Sequence, residues 1–319
     1  MKSVYTIHNI EYQGIYGFEI LGDIFNLHAA DASFVDNDSC INLMKGAIQL
    51  CDILTTVSPR YAGEIQSAEY AHGLESIISM NSYKLRGILN GIDYISYNPK
   101  TDRALWQNFT FRSIDKKVQN KVEFQSLMNL PVDGDIPMYA MITRLATHKG
   151  VDIVCAMIDR LLDENVQFVL LGTGEGSYEE FFRNLEARHP DKVRSLIMFD
   201  RDMSRKLYAA ADFFIMPSKS EPCGLSQMIA SRYGAVPITR ETGGLADSIH
   251  GYYEEKGKLH GNGFTFANYS AEELLERSLA AKELYEDKEK FRKFVSRVMR
   301  VDFSWSRSAE EYLRMYEVR

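Results

Sequence analysis

Between Glu221 and Asp247 the chain reads EPCGLSQMIASRYGAVPITRETGGLAD, placing an acid, two glycine turns and a helix start within the span of one sugar nucleotide. That grouping suits diphosphate chemistry. The apolar run from Phe213 to Pro217 precedes Ser218 and Glu221. It reads as a buried parallel strand whose carboxyl end opens into a loop and then a helix, the place where open α/β sheets hold ligands. Thr242-Gly243-Gly244 follows a second short strand, Ala235 to Thr239, and opens another helix. Bare N–H groups and a positive dipole end at such a start suit an anion.

Two cations, Arg144 and Lys149, bracket the segment TRLATHKG between a strand and the helix that begins near Gly150. Beside a helix N-terminus they make a phosphate clamp; the alternative is a pair of solvated charges. Gly172-Thr-Gly-Glu-Gly176 repeats the strand-to-glycine-loop pattern one crossover later, and a phosphate-facing turn and a plain turn fit it equally well. Glu221, a carboxylate at a strand end beside cations, is well placed to hydrogen-bond sugar hydroxyls. Cys223 has no histidine or other base near it in sequence and reads as a packing residue in preference to a thiolate nucleophile. His8 directly follows the first strand, and on spacing alone it reads as structural.

The elements that must position these residues alternate regularly from Pro137 onward. Strand-like runs at Met138–Ile142, Gln167–Leu171, Ser195–Phe199, Asp212–Met216 and Val236–Thr239 are separated by helical stretches. Nearly continuous Val, Ile, Leu, Phe and Met in these runs is the mark of a parallel sheet covered on both faces. Loops at Thr143–Lys149, Gly172–Ser177, Asp200–Met203 and Ser218–Gly224 leave strand ends and would face one crevice. The earlier part holds strands at Val4–Ile7, Ile53–Val57 and Gly87–Leu89, the last before the Asn90-Gly91 turn, and helices at Ser39–Leu50 and Pro59–Gln66. Ser113–Asn129 reads as a charged helix, the inter-domain connection falls around Leu130–Pro137, and Ala271–Glu317 is helical with an aromatic stripe of Phe291, Phe294, Phe303, Trp305, Tyr312 and Tyr316.

Bulk properties narrow the function classes. With 319 residues, 45% of them hydrophobic, the chain can form about two domains with substantial cores. A net charge of −7 argues against a nucleic-acid partner, so any phosphate site must be local. Cys40, Cys51, Cys155 and Cys223 lack CxxC or metal-ligand spacing, which predicts reduced thiols, no structural zinc and a cytoplasmic location. No apolar run approaches membrane-spanning length, and the N-terminus lacks the core of a signal peptide.

Taken together, TIHNIEYQG (Thr6–Gly14), LTTVSPRYAGEI (Leu54–Ile65), YAHGLESII (Tyr70–Ile78), GILNGID (Gly87–Asp93), TRLATHKGVD (Thr143–Asp152) and the EPCGLSQMIASRYG…RETGGLAD stretch resemble the bacterial glycogen synthase and plant starch synthase family, in family order. The resemblance implies an α/β chain of two Rossmann-like domains facing across a cleft, the GT-B fold, with a helical C-terminal segment. Residues 1–130 would be the glucan-acceptor domain, 131–300 the nucleotide-sugar domain, and 301–319 a helix crossing back to the first. It implies transfer of glucose from ADP-glucose to the non-reducing 4-hydroxyl of an α-1,4-glucan such as glycogen, with retention and without a metal or other cofactor. By position, Arg144 and Lys149 match the pair on the donor diphosphate, and Glu221 matches the acid near the donor glucose. Gly172, Gly174, Cys223, Gly224, Leu225, Thr242, Gly243 and Gly244 match donor-facing turns, and Phe199 stands where a Tyr commonly stacks on adenine. His8 matches the histidine that lines the sugar pocket, with Asn9, Tyr12 and Asn90 on the acceptor side.

Departures from the family pattern are few. Thr143 and His148 replace the usual Ser and Gln, and Ile229 stands where many related transferases have a second Glu, which fits the synthase branch. The Lys-x-Gly-Gly-Leu loop and the segment before the His-Asn motif have no counterpart, so the first domain is expected to be incomplete and the chain a truncated product, inactive or weak alone. Two other readings stay open: a sucrose-synthase-like or trehalose-synthase-like transferase using UDP-glucose, which GLSQ and TIHNIEYQG disfavour, and a non-catalytic nucleotide- or glucan-binding remnant.

Overall fold

A computed structural model describes residues 2–317, which divide into two compact units at Asn90/Gly91. In the first unit, β1 (Val4–Ile7), β5 (Ile53–Thr56) and β6 (Leu85–Gly87) form a parallel sheet in the order β1-β5-β6. A small antiparallel sheet joins β2 (Ile15–Tyr16), β4 (Cys40–Asn42) and β3 (Asp36–Asn37) in that order. Helices α1 (Ile20–Asp23), α2 (Leu43–Leu50), α3 (Pro59–Glu64) and α4 (Glu75–Met80) complete the unit. The helix expected over Ser39–Leu50 begins only at Leu43. Asp38 and Ser39 take left-handed φ values of 52° and 62° in the β3–β4 turn, and Asn42 then caps α2 by accepting from Lys45 N at 3.0 Å. β6 lies two residues earlier than expected, because the ladder pairs Leu54 with Leu85 and the charged Lys84 and Arg86 hide the strand pattern.

In the second unit, β7 (Met138–Ile142), β8 (Gln167–Leu171), β9 (Val193–Leu196), β10 (Phe213–Met216), β11 (Val236–Arg240) and β14 (Phe264–Phe266) form a six-stranded, all-parallel sheet in the order β14-β11-β10-β7-β8-β9. A hairpin of β12 (Tyr253–Glu255) and β13 (Lys258–His260) precedes β14. α6 (Val151–Leu162), α7 (Gly176–Arg188), α8 (Arg201–Ala210), α9 (Ser226–Arg232) and α10 (Gly243–Ser248) follow successive strands. α5 (Lys117–Leu127) precedes β7, and α11 (Ala271–Glu286), α12 (Lys288–Val298) and α13 (Trp305–Glu317) end the chain. The strands are buried throughout β7, β8 and β11 apart from Ile142, as their continuous apolar runs require. The expected strand Ser195–Phe199 sits too late: β9 ends at Leu196, and Phe199 is 95% exposed. The aromatic stripe also divides, with Phe291, Phe294 and Phe303 buried and Trp305 and Tyr316 exposed.

The unit boundary at Asn90/Gly91 corrects the expected division at residue 130. Residues 91–130 belong to the second unit because polar anchors bury them there. Tyr233 OH donates to the buried Asp102, Tyr94 OH donates to the Val301 carbonyl at 3.2 Å, and Ile92 N donates to Phe303 O at 2.7 Å. The charged helix α5 likewise hides its charges. Lys121 Nζ lies 2.6 Å from Asp212 Oδ2 and donates to Tyr285 OH at 2.8 Å and Gly134 O at 3.0 Å. Lys117 Nζ donates to the carbonyls of Tyr208 and Ala209, capping the C-terminal end of α8.

Burial pushes the Lys117 ammonium down to about 7, opposed by the charge of Asp212 and reinforced by Lys121. The unfolded chain holds that proton up to its ordinary value of 10.5, so between the two values the unfolded state binds more protons and stability rises with pH. Below the lower value both states are protonated and the cost of the buried charge stands in full. The urea midpoint should therefore climb between about pH 7.5 and 9.5, and Lys117→Met should flatten that rise. An unchanged slope in the variant would remove Lys117 as its cause.

Candidate functional site

The order β14-β11-β10-β7-β8-β9 makes β7 and β10 neighbours whose following connections run to opposite sides. A crevice opens at such a switch point, outside the carboxyl ends of the strands. The loop after β7 carries Arg144 and Lys149; the loop after β10 carries Ser218, Glu221 and Cys223. Lys219 N donates to His148 O at 2.9 Å and ties the two loops together.

Across this junction Lys149 Nζ lies 2.8 Å from Glu221 Oε2, and Ser218 Oγ donates to the same oxygen at 3.0 Å. Glu221 is buried at 6% exposure, whereas the Lys149 side chain keeps about a fifth of its surface open. A buried carboxylate is thus held by a cation that solvent, or an anion, still reaches. Behind it, Gly244 N donates to the Glu221 carbonyl at 3.0 Å, which docks the start of α10, with Thr242 and Gly243, onto the Glu221 loop. Cys223 is buried, and its carbonyl accepts from Gln227 Nε2 at 3.2 Å. Gly224 turns the chain there with φ 71°.

The segments that carry this pair run on into the wall of a cavity of about 850 Å³, which Lys149 and Glu221 themselves do not line. Arg144, Gly172, Gly174, Phe199 and Leu225 all line it, so the structure brings together residues from the loops after β7, β8, β9 and β10. The glycines at 172 and 174 have a structural cause. A Cβ at Gly172 would lie 1.8 Å from Thr143 O and one at Gly174 2.1 Å from Leu145 O, because the two loops run in contact. Leu145 N donates to Thr173 O at 2.9 Å and Glu175 N to Leu145 O at 2.8 Å, sealing that contact. These glycines shape the cavity wall by close packing. Met198 and Phe199, apolar yet exposed, form the wall on the β9 side, which explains why an apolar run extends past the strand.

Sequence reasoning missed several residues here. Tyr97 also lines the cavity, although it lies in the segment that sequence assigned to the other domain; the Arg205 guanidinium sits 5.6 Å from its ring centre. Asp200, read as part of a loop, caps α8 by accepting from Met203 N at 2.6 Å. The signal was present in Asp200-Arg-Asp-Met203, an N-cap residue before a helical stretch. Arg240, at the end of β11, donates from Nε to Ser218 O at 3.1 Å and stacks near Tyr269, adding a third cation behind the Glu221 loop.

The remaining candidates lie in the first unit. His8 and Asn9 directly follow β1; His8 is exposed, and the Asn9 side chain accepts from Glu11 N at 3.0 Å. Tyr12, 66% exposed, ends that turn, and Asn90 follows β6 on the same carboxyl edge of the sheet.

Comparison with known proteins agrees with this geometry. Residues 128–297 match the family model for glycosyl transferases group 1, and residues 1–80 match that for the starch synthase catalytic domain. The chain belongs to the group 1 glycosyltransferases, in their glycogen and starch synthase branch. It is 45% identical over 319 residues to a glycogen synthase of Alkaliphilus metalliredigens and 46% identical over 318 residues to one of Clostridium beijerinckii, covering 99% of this chain in each case. It superimposes with a TM-score of 0.90 and 38% identity on the catalytic domain of starch synthase IV from Arabidopsis thaliana bound to ADP and acarbose, over 99% of this chain. In all three cases it spans 66% of the relative's own length. The fold of this glycosyltransferase is GT-B, and its two units are the Rossmann-like bodies of that class. No helix among the described residues is long and apolar enough to cross a membrane.

Proposed function

We propose that the second unit binds ADP-glucose and that the protein acts as a glycogen synthase, moving glucose to the non-reducing end of an α-1,4-glucan with retention of configuration. The observation that carries this reading is the Lys149–Glu221 pair, 2.8 Å apart at the switch point beside the cavity lined by Arg144 and Phe199. The nucleoside occupies that cavity with its base against Phe199, where an exposed ring is free to stack. Its diphosphate reaches Arg144 and Lys149. These cations neutralise the charge that builds on ADP as the bond to glucose breaks, so no metal is needed for that task. Glu221 accepts hydrogen bonds from the glucose hydroxyls, and Thr242, Gly243 and Gly244 at the start of α10 border the phosphates. His8 is assigned to the sugar, and Asn9, Tyr12 and Asn90 to the acceptor glucan. Similarity to glycogen synthases, and to a starch synthase solved with ADP and acarbose, supports these ligand classes. Reduced cysteines and a location in the cytoplasm complete the reading.

Thermal shift with ADP and UDP tests the nucleotide. ADP should raise the midpoint and UDP should do so less; an equal or larger effect of UDP would favour the UDP-glucose transferase reading. Incubation with ADP-[14C]glucose and glycogen tests the transfer and should label the polysaccharide. Because the chain spans 66% of its relatives' length, a second reading is ADP binding without transfer, and a stabilising ADP shift with no label in glycogen would select it.

A further inference from the structure

We propose that a second cavity, of about 540 Å³, between the Asn98–Arg112 segment and the C-terminal end of α9, binds a phosphorylated sugar. It shares no lining residue with the nucleotide cavity and the inference does not rest on the nucleotide assignment. Its volume lies in the ordinary range of small-molecule sites, roughly 300–1,000 Å³.

Three cations, Lys100, Arg112 and Arg232, line this cavity, and no carboxylate does. The chain carries a net charge of −7, yet among the described residues none of these three cations is in an ion pair. Three like charges around one concavity repel, and a dianion placed among them removes that repulsion while gaining attraction to each. Arg232 is already held in place. Its guanidinium lies 4.3 Å from the centre of the Tyr94 ring and Nε donates to Tyr97 O at 3.5 Å. Preorganised planar donors of this kind suit phosphate oxygens.

The rest of the lining selects a carbon skeleton with hydroxyls. Phe109 and Phe111 give the lining an apolar part against which a sugar's carbon skeleton can pack, with the Arg112 guanidinium 5.3 Å from the Phe111 ring centre. Asn98 Oδ1 accepts from Lys100 N at 3.2 Å, which leaves its amide N–H groups for a hydroxyl oxygen. A phosphomonoester of a sugar satisfies both halves of the cavity, whereas a neutral sugar satisfies one.

Isothermal titration of the whole chain with fructose 6-phosphate tests the proposal. The dissociation constant should fall below about 1 mM in low salt and rise as salt is added. Fructose itself should give no binding, and inorganic phosphate should bind more weakly than the ester. Lys100→Gln with Arg112→Gln removes two exposed side chains and should weaken binding at least about tenfold, while Arg144→Gln in the nucleotide cavity should leave it unchanged. The proposal is overturned by absence of binding up to about 10 mM, or by equal affinity in the Lys100/Arg112 double variant. It is equally overturned if Arg144→Gln alone abolishes binding, since the ester then sits in the nucleotide cavity, or if inorganic phosphate binds as tightly as the ester.

Discussion

Lys149→Ala should weaken ADP binding by roughly 10- to 100-fold, the loss expected when one charge-assisted hydrogen bond of about 1.5–3 kcal/mol disappears. The argument starts from the pair itself. Lys149 is the partner of Glu221, which is 6% exposed and keeps Ser218 Oγ as its other side-chain donor. Removing the cation therefore has two effects: a diphosphate loses its ligand, and a buried carboxylate loses its counter-charge. The second effect repels an incoming anion as well. Glu221→Gln in the Lys149→Ala background separates them, because it removes the stranded charge without restoring the ligand. Calorimetric titration should show ADP affinity partly recovered in the double variant, still below that of the parent. Undiminished ADP affinity in Lys149→Ala would detach the pair from phosphate binding. For transfer the penalty should be larger, since charge grows on ADP as the bond breaks; about 3–4 kcal/mol is typical for one preorganised donor.

Gly244→Ala should damage stability and nucleotide affinity together. A Cβ on Gly244 would stand 2.1 Å from Cys223 O and 2.4 Å from Cys223 Cα, and both are backbone atoms that cannot swing aside. Either α10 or the Glu221–Gly224 loop must shift, breaking the 3.0 Å bond from Gly244 N to Glu221 O. Overpacking of this kind costs about 1–3 kcal/mol, and here the displaced loop carries the acid of the site. A urea melt should show a lower midpoint, and ADP affinity should fall by more than in Gly63→Ala, a control at an exposed position of α3 where a Cβ meets nothing within 4 Å. If Gly244→Ala melts and binds like the parent, the close approach has no bearing on the site.

Much of the second unit could be read in advance because its strands are buried on both faces. Met138–Ile142 and Gln167–Leu171 appear with the expected bounds, since continuous burial writes a continuous apolar run. The same rule fails where apolar residues serve a cavity. Met198 and Phe199 extend the β9 run and yet lie outside the sheet as exposed wall. β14, three residues long, offers too little pattern to be recognised. Charge misleads in the opposite way. α5 has the composition of a solvated helix, but Lys117 and Lys121 are buried because the α8 carbonyls and Asp212 lie far along the chain and close in space. That packing also moves the unit boundary back to Asn90, and it carries Tyr97 into the cavity lined by Arg144 and Phe199.

From its residues alone, this chain declares its branch and its fold class, and it nominates the acid, cations and glycine turns proposed to hold a sugar nucleotide, since these depend on residue type and short spacing. What the folded arrangement settles is of another kind: that Lys149 meets Glu221, that Gly172 and Gly174 are small for the sake of neighbouring backbone, and that three cations meet around a second cavity. Each joins loops separated by tens of residues, and such contacts follow from strand order and packing, which local pattern does not encode.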